Sequence, residues 1–311
     1  MTSPRFTVLA STIAGCMAGP LLVEAQPVDT TLTVGVTLAE FSDPMAVAVD
    51  PQGVVFVVDA STATIVRLTT GGQTLSVHGG PGSGEYEFDT PSDIDVSAGL
   101  VWLVADAGNG RIKRYSSEFL HLASMPVDLS SFAVTQSAGR GGFREEEGDP
   151  LRYAGGRPIA VAASMSDETF AIDANSGVVI KWDAARRIER VFGGPGDLRG
   201  ALVDPVSIAT DGDGRVFVAD RGLEAVVVFD RFGTFVRRIA DGFAKRLSAV
   251  TTVDNRLLVV MEDRIAVYGP QGNLIRSYGV DLGEPLRDAS VANEAFLVLT
   301  DRHLVSVPFQ Q

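Results

Sequence analysis

The sequence predicts an all-β fold, a ring of six four-stranded antiparallel blades, and three observations carry that prediction. Short apolar runs are separated by Gly, Asp and Pro turn residues along most of the chain. Marker residues recur at fixed steps: prolines before the first run of each unit stand at 44, 91, 158 and 205, and an Asp after the second run stands at 59, 106, 173 and 220. Both series advance by 47, 67 and 47, and a four-strand repeat of this length is the pattern of a β-propeller blade. The second runs (VVFVV, VWLVA, TFAI, VFVA, LLVV, AFLVL) are also apolar without alternation, as sheets stacked face to face require.

The best-formed copy spans residues 191–239, with runs at 206–209, 216–219, 225–229 and 235–239. Earlier copies place their four strands at 45–49, 54–58, 64–68 and 74–77, then 93–96, 101–105, 111–115 and 119–123, then 159–163, 169–172, 178–182 and 188–192. Two degenerate copies follow, at 247–253, 257–261, 264–268 and 274–278, and at 287–292, 295–300 and 303–307. The last has three strands. A spare strand at 31–38 (TLTVGVTL) fits the vacancy, so the N-terminus is expected to complete the last blade and close the ring without an open edge.

Outside the ring, residues 1–25 read as a signal peptide: Arg5 precedes an apolar stretch, and Val23-Glu24-Ala25 suits cleavage before Gln26. The expected organisation is a leader at 1–25 and one propeller at 26–311, exported to the periplasm or beyond, with no transmembrane span after cleavage. Cys16 is the only cysteine. Ile13-Ala14-Gly15-Cys16 also resembles a lipobox, the alternative in which Cys16 becomes a lipid-anchored terminus. A net charge of −13 argues against nonspecific binding to nucleic acid or anionic membranes, which such a protein repels.

The segments HGGPGSGEYEFDTPSDIDVSAGLVWLVADAGNGRIKRYS and FGGPGD, DGDGRVFVAD and VVVFDRFG resemble the NHL-repeat family of six-bladed propellers, over about residues 41–241. The resemblance implies the fold strongly and the function weakly, because such propellers include binding scaffolds as well as lyases and calcium-dependent lactonases. Trp182-Asp183 stands alone and reads as a core aromatic.

If each inner strand runs downward from a top face, the loops before it share that face with the loops joining second to third strands. Polar residues gather there: Asp43, Asp93, Arg157, Asp204, Arg246, Arg287 and Asp288 form the expected ligand or partner site at the channel mouth. The longer middle step locates an insertion at about 137–157 (SAGRGGFREEEGDPLRYAGGR), which adds Arg140, Arg144, Arg152 and Tyr153 to that site. The Asp repeated at 59, 106, 173 and 220 occurs once per blade and reads as a turn acceptor. No catalytic residue is assigned. His78, His121 and His303 fall in or beside outer strands, too scattered for a zinc site, and Asp211-Gly212-Asp213-Gly214 reads as a turn rather than a calcium loop. The expected function is an exported, non-enzymatic scaffold that binds a protein or small ligand. The alternative is a calcium-dependent, lactonase-like hydrolase or lyase using channel carboxylates, with calcium the one cofactor it would need.

Overall fold

A computed structural model of the chain describes residues 30–33, 35–129, 155–240, 242 and 244–309. Twenty-five strands form six sheets, and no helix occurs among the described residues. Blade one is β3 (Pro44–Val49), β4 (Val55–Asp59), β5 (Thr64–Leu68) and β6 (Thr74–Gly79). Blade two is β7 (Pro91–Asp95), β8 (Val101–Asp106), β9 (Arg111–Ser116) and β10 (His121–Pro126). Blade three is β11 (Pro158–Ala163), β12 (Thr169–Asp173), β13 (Val178–Trp182) and β14 (Ile188–Phe192). Blade four is β15 (Pro205–Thr210), β16 (Val216–Asp220), β17 (Ala225–Phe229) and β18 (Phe235–Ile239). Blade five is β19 (Leu247–Val253), β20 (Arg256–Met261), β21 (Arg264–Tyr268) and β22 (Leu274–Val280). Blade six is β23 (Asp288–Ala292), β24 (Ala295–Leu299) and β25 (His303–Pro308). Neighbouring inner strands β3, β7, β11, β15, β19 and β23 touch in sequence, and β23 touches β3, so the six sheets close into a propeller.

Closure uses the N-terminus, through two strands rather than one. β2 (Val36–Glu40) pairs antiparallel with β25 as the fourth strand of blade six, while β1 (Thr30–Leu32) pairs in parallel with β22 at the outer edge of blade five. Gly35 lies beside the start of β2, and a Cβ there would meet Val305 Cγ1 at 2.5 Å. The missing side chain lets the backbone pass close over β25.

Second strands are buried end to end in blades one, three, four and six, because sheets stack on both of their faces. Trp182 is buried in the seam between blades two and three, packed with Leu103, Ile112 and Met125. The marker prolines open the inner strands instead of preceding them, a place where a missing N–H costs no ladder bond. Immediately after each, a bulge shifts the register, at Pro44/Ala46, Pro91/Asp93, Pro158/Ala160 and Pro205/Ser207. Bulges re-aim the residue that follows them, and in blades two and four that residue, Asp93 or Ser207, lines the channel.

Turn chemistry repeats with the blades. The last residue of the hairpin between second and third strands is left-handed at Ala63, Gly110, Gly177 and Glu224, with φ of 53°, 62°, 67° and 50°. Glycine takes that conformation freely, whereas a side chain costs about 1–2 kcal/mol. Replacing the half-exposed Glu224 with Gly is therefore expected to stabilise the protein by about 0.5–1 kcal/mol after the larger chain entropy of glycine is counted; a lower melting temperature for the variant would contradict this.

Candidate functional site

The top hairpins are built around the repeated aspartates. Asp59 accepts N–H bonds from Ser42 (2.9 Å) and Ser61 (3.0 Å), Asp173 from Arg157 (2.6 Å) and Ser176 (3.1 Å), and Asp220 from Val203 (2.7 Å), Asp204 (3.1 Å) and Leu223 (2.9 Å). Each buried carboxylate thus ties its hairpin to the loop entering its own blade, the job that a once-per-blade residue implies. Asp211 does the same at a lower turn, accepting the N–H groups of Asp213 (3.1 Å) and Arg215 (2.9 Å) and pairing with the Arg215 side chain at 2.7 Å.

The residues assigned to a binding rim do not come together as one site. Arg287 joins Asp43 (2.9 Å) and Asp301 (2.8 Å) in an ion-pair cluster where blade six meets blade one. Arg246 faces Glu262 at 3.4 Å and Asp204 faces Arg221 at 3.9 Å, both in solvent, where such pairs contribute little. Arg157 is held through its backbone N–H by Asp173. Asp93 and Asp288 leave the rim altogether and face the central channel. Arg140, Arg144, Arg152 and Tyr153 lie outside the described residues. The ends of their loop are described: Val127 donates to the Gly110 carbonyl at 2.9 Å and Gly156 to the Val127 carbonyl at 2.7 Å, so the connection leaves from the top hairpin of blade two.

A cavity of about 1050 Å³ occupies the channel and continues between blades five and six, where Leu258, Val267, Tyr278, Phe296 and Phe309 also line it. All six inner strands line it, with Val49, Asp95, Val161, Thr210, Thr251 and Ser290 among the wall residues. It opens among the lower turns, at Asp50, Asp254 and Asn293, on the face opposite the rim. Its inner end is the tier of Asp93, Ser207 and Asp288, and none of the residues before that tier on the inner strands lines it. The sequence reading missed this because the top face is where the charges are, whereas the cavity walls are mostly small apolar and hydroxyl side chains.

Burial acts strongly on the carboxyls of the wall. Both Asp93 and Asp288 are half-exposed to the cavity itself, but the protein around them is dense and apolar. Desolvation pushes Asp93 up to about 8, with Asp288 adding to the rise and the N–H groups of Val161 and Ile94 opposing it. Asp288 is pushed up to about 6 by the same desolvation, against the N–H groups of Val47 and Ala289. Asp95 is raised too, again by burial first. Perturbed carboxyls in a concave site are a common mark of function.

Metal chemistry lacks a ligand set here: among the described residues no group of three or more His, Cys, Asp and Glu side chains is placed to hold an ion. His303 pairs with Glu284 at 3.2 Å near the rim. His78 and His121 approach opposite sides of one aromatic cluster, His78 against Phe119 and His121 against Tyr115 and Tyr86, at the outer edge of blades one and two. That both histidines pack on one aromatic cluster was not foreseen in the sequence, because Phe119 joins rings of two blades.

Comparison with solved structures agrees with this architecture. An inactive variant of virginiamycin B lyase from Staphylococcus aureus with quinupristin superposes with a TM-score of 0.58 at 12% identity, covering 89% of this chain and 88% of that one. A streptogramin B lyase gives 0.57 at 13% identity, over 89% and 87%. A chain of a nidogen/laminin complex gives 0.54 at 14% identity, over 76% and 81%. The chain is a six-bladed β-propeller. At these identities the likeness is one of fold, carried by proteins as different as a lyase and a chain of a nidogen/laminin complex. No protein-family model and no curated protein matches the sequence.

Proposed function

We propose that this chain is an NHL-type propeller that works as a binding scaffold, with a small ligand held in the channel cavity. The observation that carries this reading is the cavity itself: about 1050 Å³, lined by all six inner strands and reaching between blades five and six, with two perturbed carboxyls at its inner end. A concave site of this size with few convergent polar groups is the usual form of a small-molecule site. The NHL assignment rests on the glycine-rich blade entries and the Asp-marked hairpins of residues 41–241. The apolar segment at 1–25 supports export, with a mature terminus at Gln26 or a lipid anchor at Cys16 as the forms that mass spectrometry of the secreted protein separates. The rim insertion would offer a protein partner a second surface on the opposite face.

For the calcium-dependent alternative, no group of three or more His, Cys, Asp and Glu side chains stands together among the described residues. Ligand binding is tested by a thermal-shift screen of small molecules against the wild type and a Thr251→Trp variant, which fills the cavity from β19. A ligand at a hundredfold excess over its Kd adds about 2.7 kcal/mol of stability, and the shift should vanish in the variant. Ligands that stabilise both proteins equally would place binding elsewhere and refute the channel reading.

A further inference from the structure

The register of the blades shows why the cavity reaches sideways between blades five and six. On the second strands of blades one, three and four, Phe56, Phe170 and Phe217 stand opposite Ala48, Ala162 and Ala209 of the inner strands. Blade five has Leu258 opposite Thr251 at that register. Leucine is smaller than phenylalanine and leaves room in the seam where a ring fills it elsewhere. Blades two and six also carry leucine there, Leu103 and Leu297, but neither lines the cavity, and Leu103 is packed with Trp182.

The side arm has a direction. Thr251 pairs with Leu258, Leu258 with Val267 and Val267 with Arg276, one row across β19 to β22 from the channel to the outer edge of the blade. All four residues line the cavity. Three strand spacings of about 4.8 Å make the row about 14 Å long. One row higher, Val260 and Ile265 are fully buried and close the seam. On the facing side stand Val291, Phe296 and Phe309, with the Phe296 ring 4.5 Å from Phe309 and 5.1 Å from Tyr278.

The channel end of the arm is polar and has one sign of charge. The inner strands carry Asp93, Asp95 and Asp288 and no basic residue. Asp95 and Ser290 hold the register position of Thr251 in their own strands, the level at which the arm leaves the channel. Each oxygen of the three carboxyls accepts one backbone N–H. A carboxylate has about four acceptor sites, so the wall keeps capacity for a ligand that donates and offers nothing to an anion. Arg256 and Arg276 stand with Asp50, Asp254 and Glu294 among the other lining residues.

We infer that the ligand is an alkyl chain with a hydrogen-bond-donating head, an amine or an alcohol, which rests on the channel reading above and narrows it to a ligand class. The head meets the acceptors of the channel wall, and the chain runs out along Thr251, Leu258 and Val267 between blades five and six. A zigzag of carbon–carbon bonds about 1.5 Å long fills the row with about ten to twelve carbons.

Isothermal titration calorimetry with straight-chain amines from hexylamine to tetradecylamine, kept below micelle-forming concentrations, reads the arm in the wild type. Each added CH2 should tighten binding about three- to fourfold, and the gain should end at about ten to twelve carbons. Decan-1-ol should bind, and decanoate should bind about tenfold or more weakly than decylamine. Leu258→Phe restores the residue that blades one, three and four carry, so it should fold; it should bind hexylamine as the wild type does and lose the gain from longer chains. Thr251→Trp should weaken every chain length. If hexylamine binds and Thr251→Trp weakens it, but length brings no gain or the gain survives Leu258→Phe, the arm is refuted and the channel reading stands. Chains that bind both variants as tightly as the wild type would refute both. Decanoate binding as tightly as decylamine, or no binding of any chain to the wild type, would overturn the ligand class.

Discussion

Deleting residues 30–40 should lower the melting temperature by about 10 °C or more and increase self-association. The segment contributes the fourth strand of blade six, paired from Val36 with Ser306 to Glu40 with His303, and the added strand on blade five, paired from Thr30 with Tyr278 to Leu32 with Val280. Leu38 and Ala39 pack on Val47, Val55, Leu68 and Leu304 across the seam between blades six and one, and Leu32 packs beside Tyr278 and Val280. Burying one leucine contributes about 1.5–3 kcal/mol, and the ladder bonds add about 1 kcal/mol each. Their joint loss exceeds about 5 kcal/mol, a large part of the stability of an ordinary domain, and exposes the full edge of β25. A synthetic peptide of residues 28–41 added to the truncated protein should restore part of the loss, since the strand is local in sequence and docks at an edge. Size-exclusion chromatography and calorimetry decide the matter; an unchanged melting point and a monomeric truncate would show that blade six closes without its borrowed strand.

How much of this was legible in the sequence depends on which residues repeat. Aspartates at 59, 106, 173 and 220 announced the blades because one turn geometry demands one acceptor each time, and the second strands announced themselves by being apolar on both faces. The split of the N-terminal segment into β1 and β2 was not legible, because TLTVGVTL has the same composition on both sides of Gly35 and only the packing against Val305 separates them. Asp93 and Asp288 were placed on the rim by chain order, whereas a register shift after Pro91 turns the first into the channel and the bonding partner of the second lies 241 residues away. Two buried lysines of the third strands went unnoticed in the sequence: Lys181 lies between Glu168 (2.8 Å) and Glu189 (2.9 Å), and Lys113 over the Phe88 ring. For Lys181 the available signal is a lysine inside an apolar run (VVIKW), whereas Lys113 stands among other charges (RIKRYS) and gives no such signal.

Asp106 is where a single substitution is expected to cost most. It shares the turn-acceptor job of its repeats, taking the Asp89 N–H at 2.8 Å, but it also receives Asn109 (2.9 Å), Arg111 Nε (3.0 Å) and the buried Lys113 ammonium (3.5 Å). Lys113 in turn donates to the carbonyls of Gly84 and Glu87, pinning the loop that enters blade two. Asp106→Ala therefore leaves a buried cation with dipoles and only the weaker influence of Glu87 in place of its paired carboxylate, and breaking a buried pair this way costs about 3–5 kcal/mol. The deficit should depend on pH. Desolvation already lowers the Lys113 value, with Asp106 the main influence raising it, so the variant's lysine is pushed further down. A folded value below the unfolded one means that the folded variant binds fewer protons, and its stability rises with pH toward 10. The melting deficit measured at pH 7 should thus narrow by pH 9.5. The double variant Asp106→Ala with Lys113→Met should be more stable than Asp106→Ala alone, because the orphaned charge leaves with its partner. A deficit equal at both pH values, together with additive double-variant energies, would mean that Asp106 serves only its turn and that the buried lysine is held by backbone carbonyls alone.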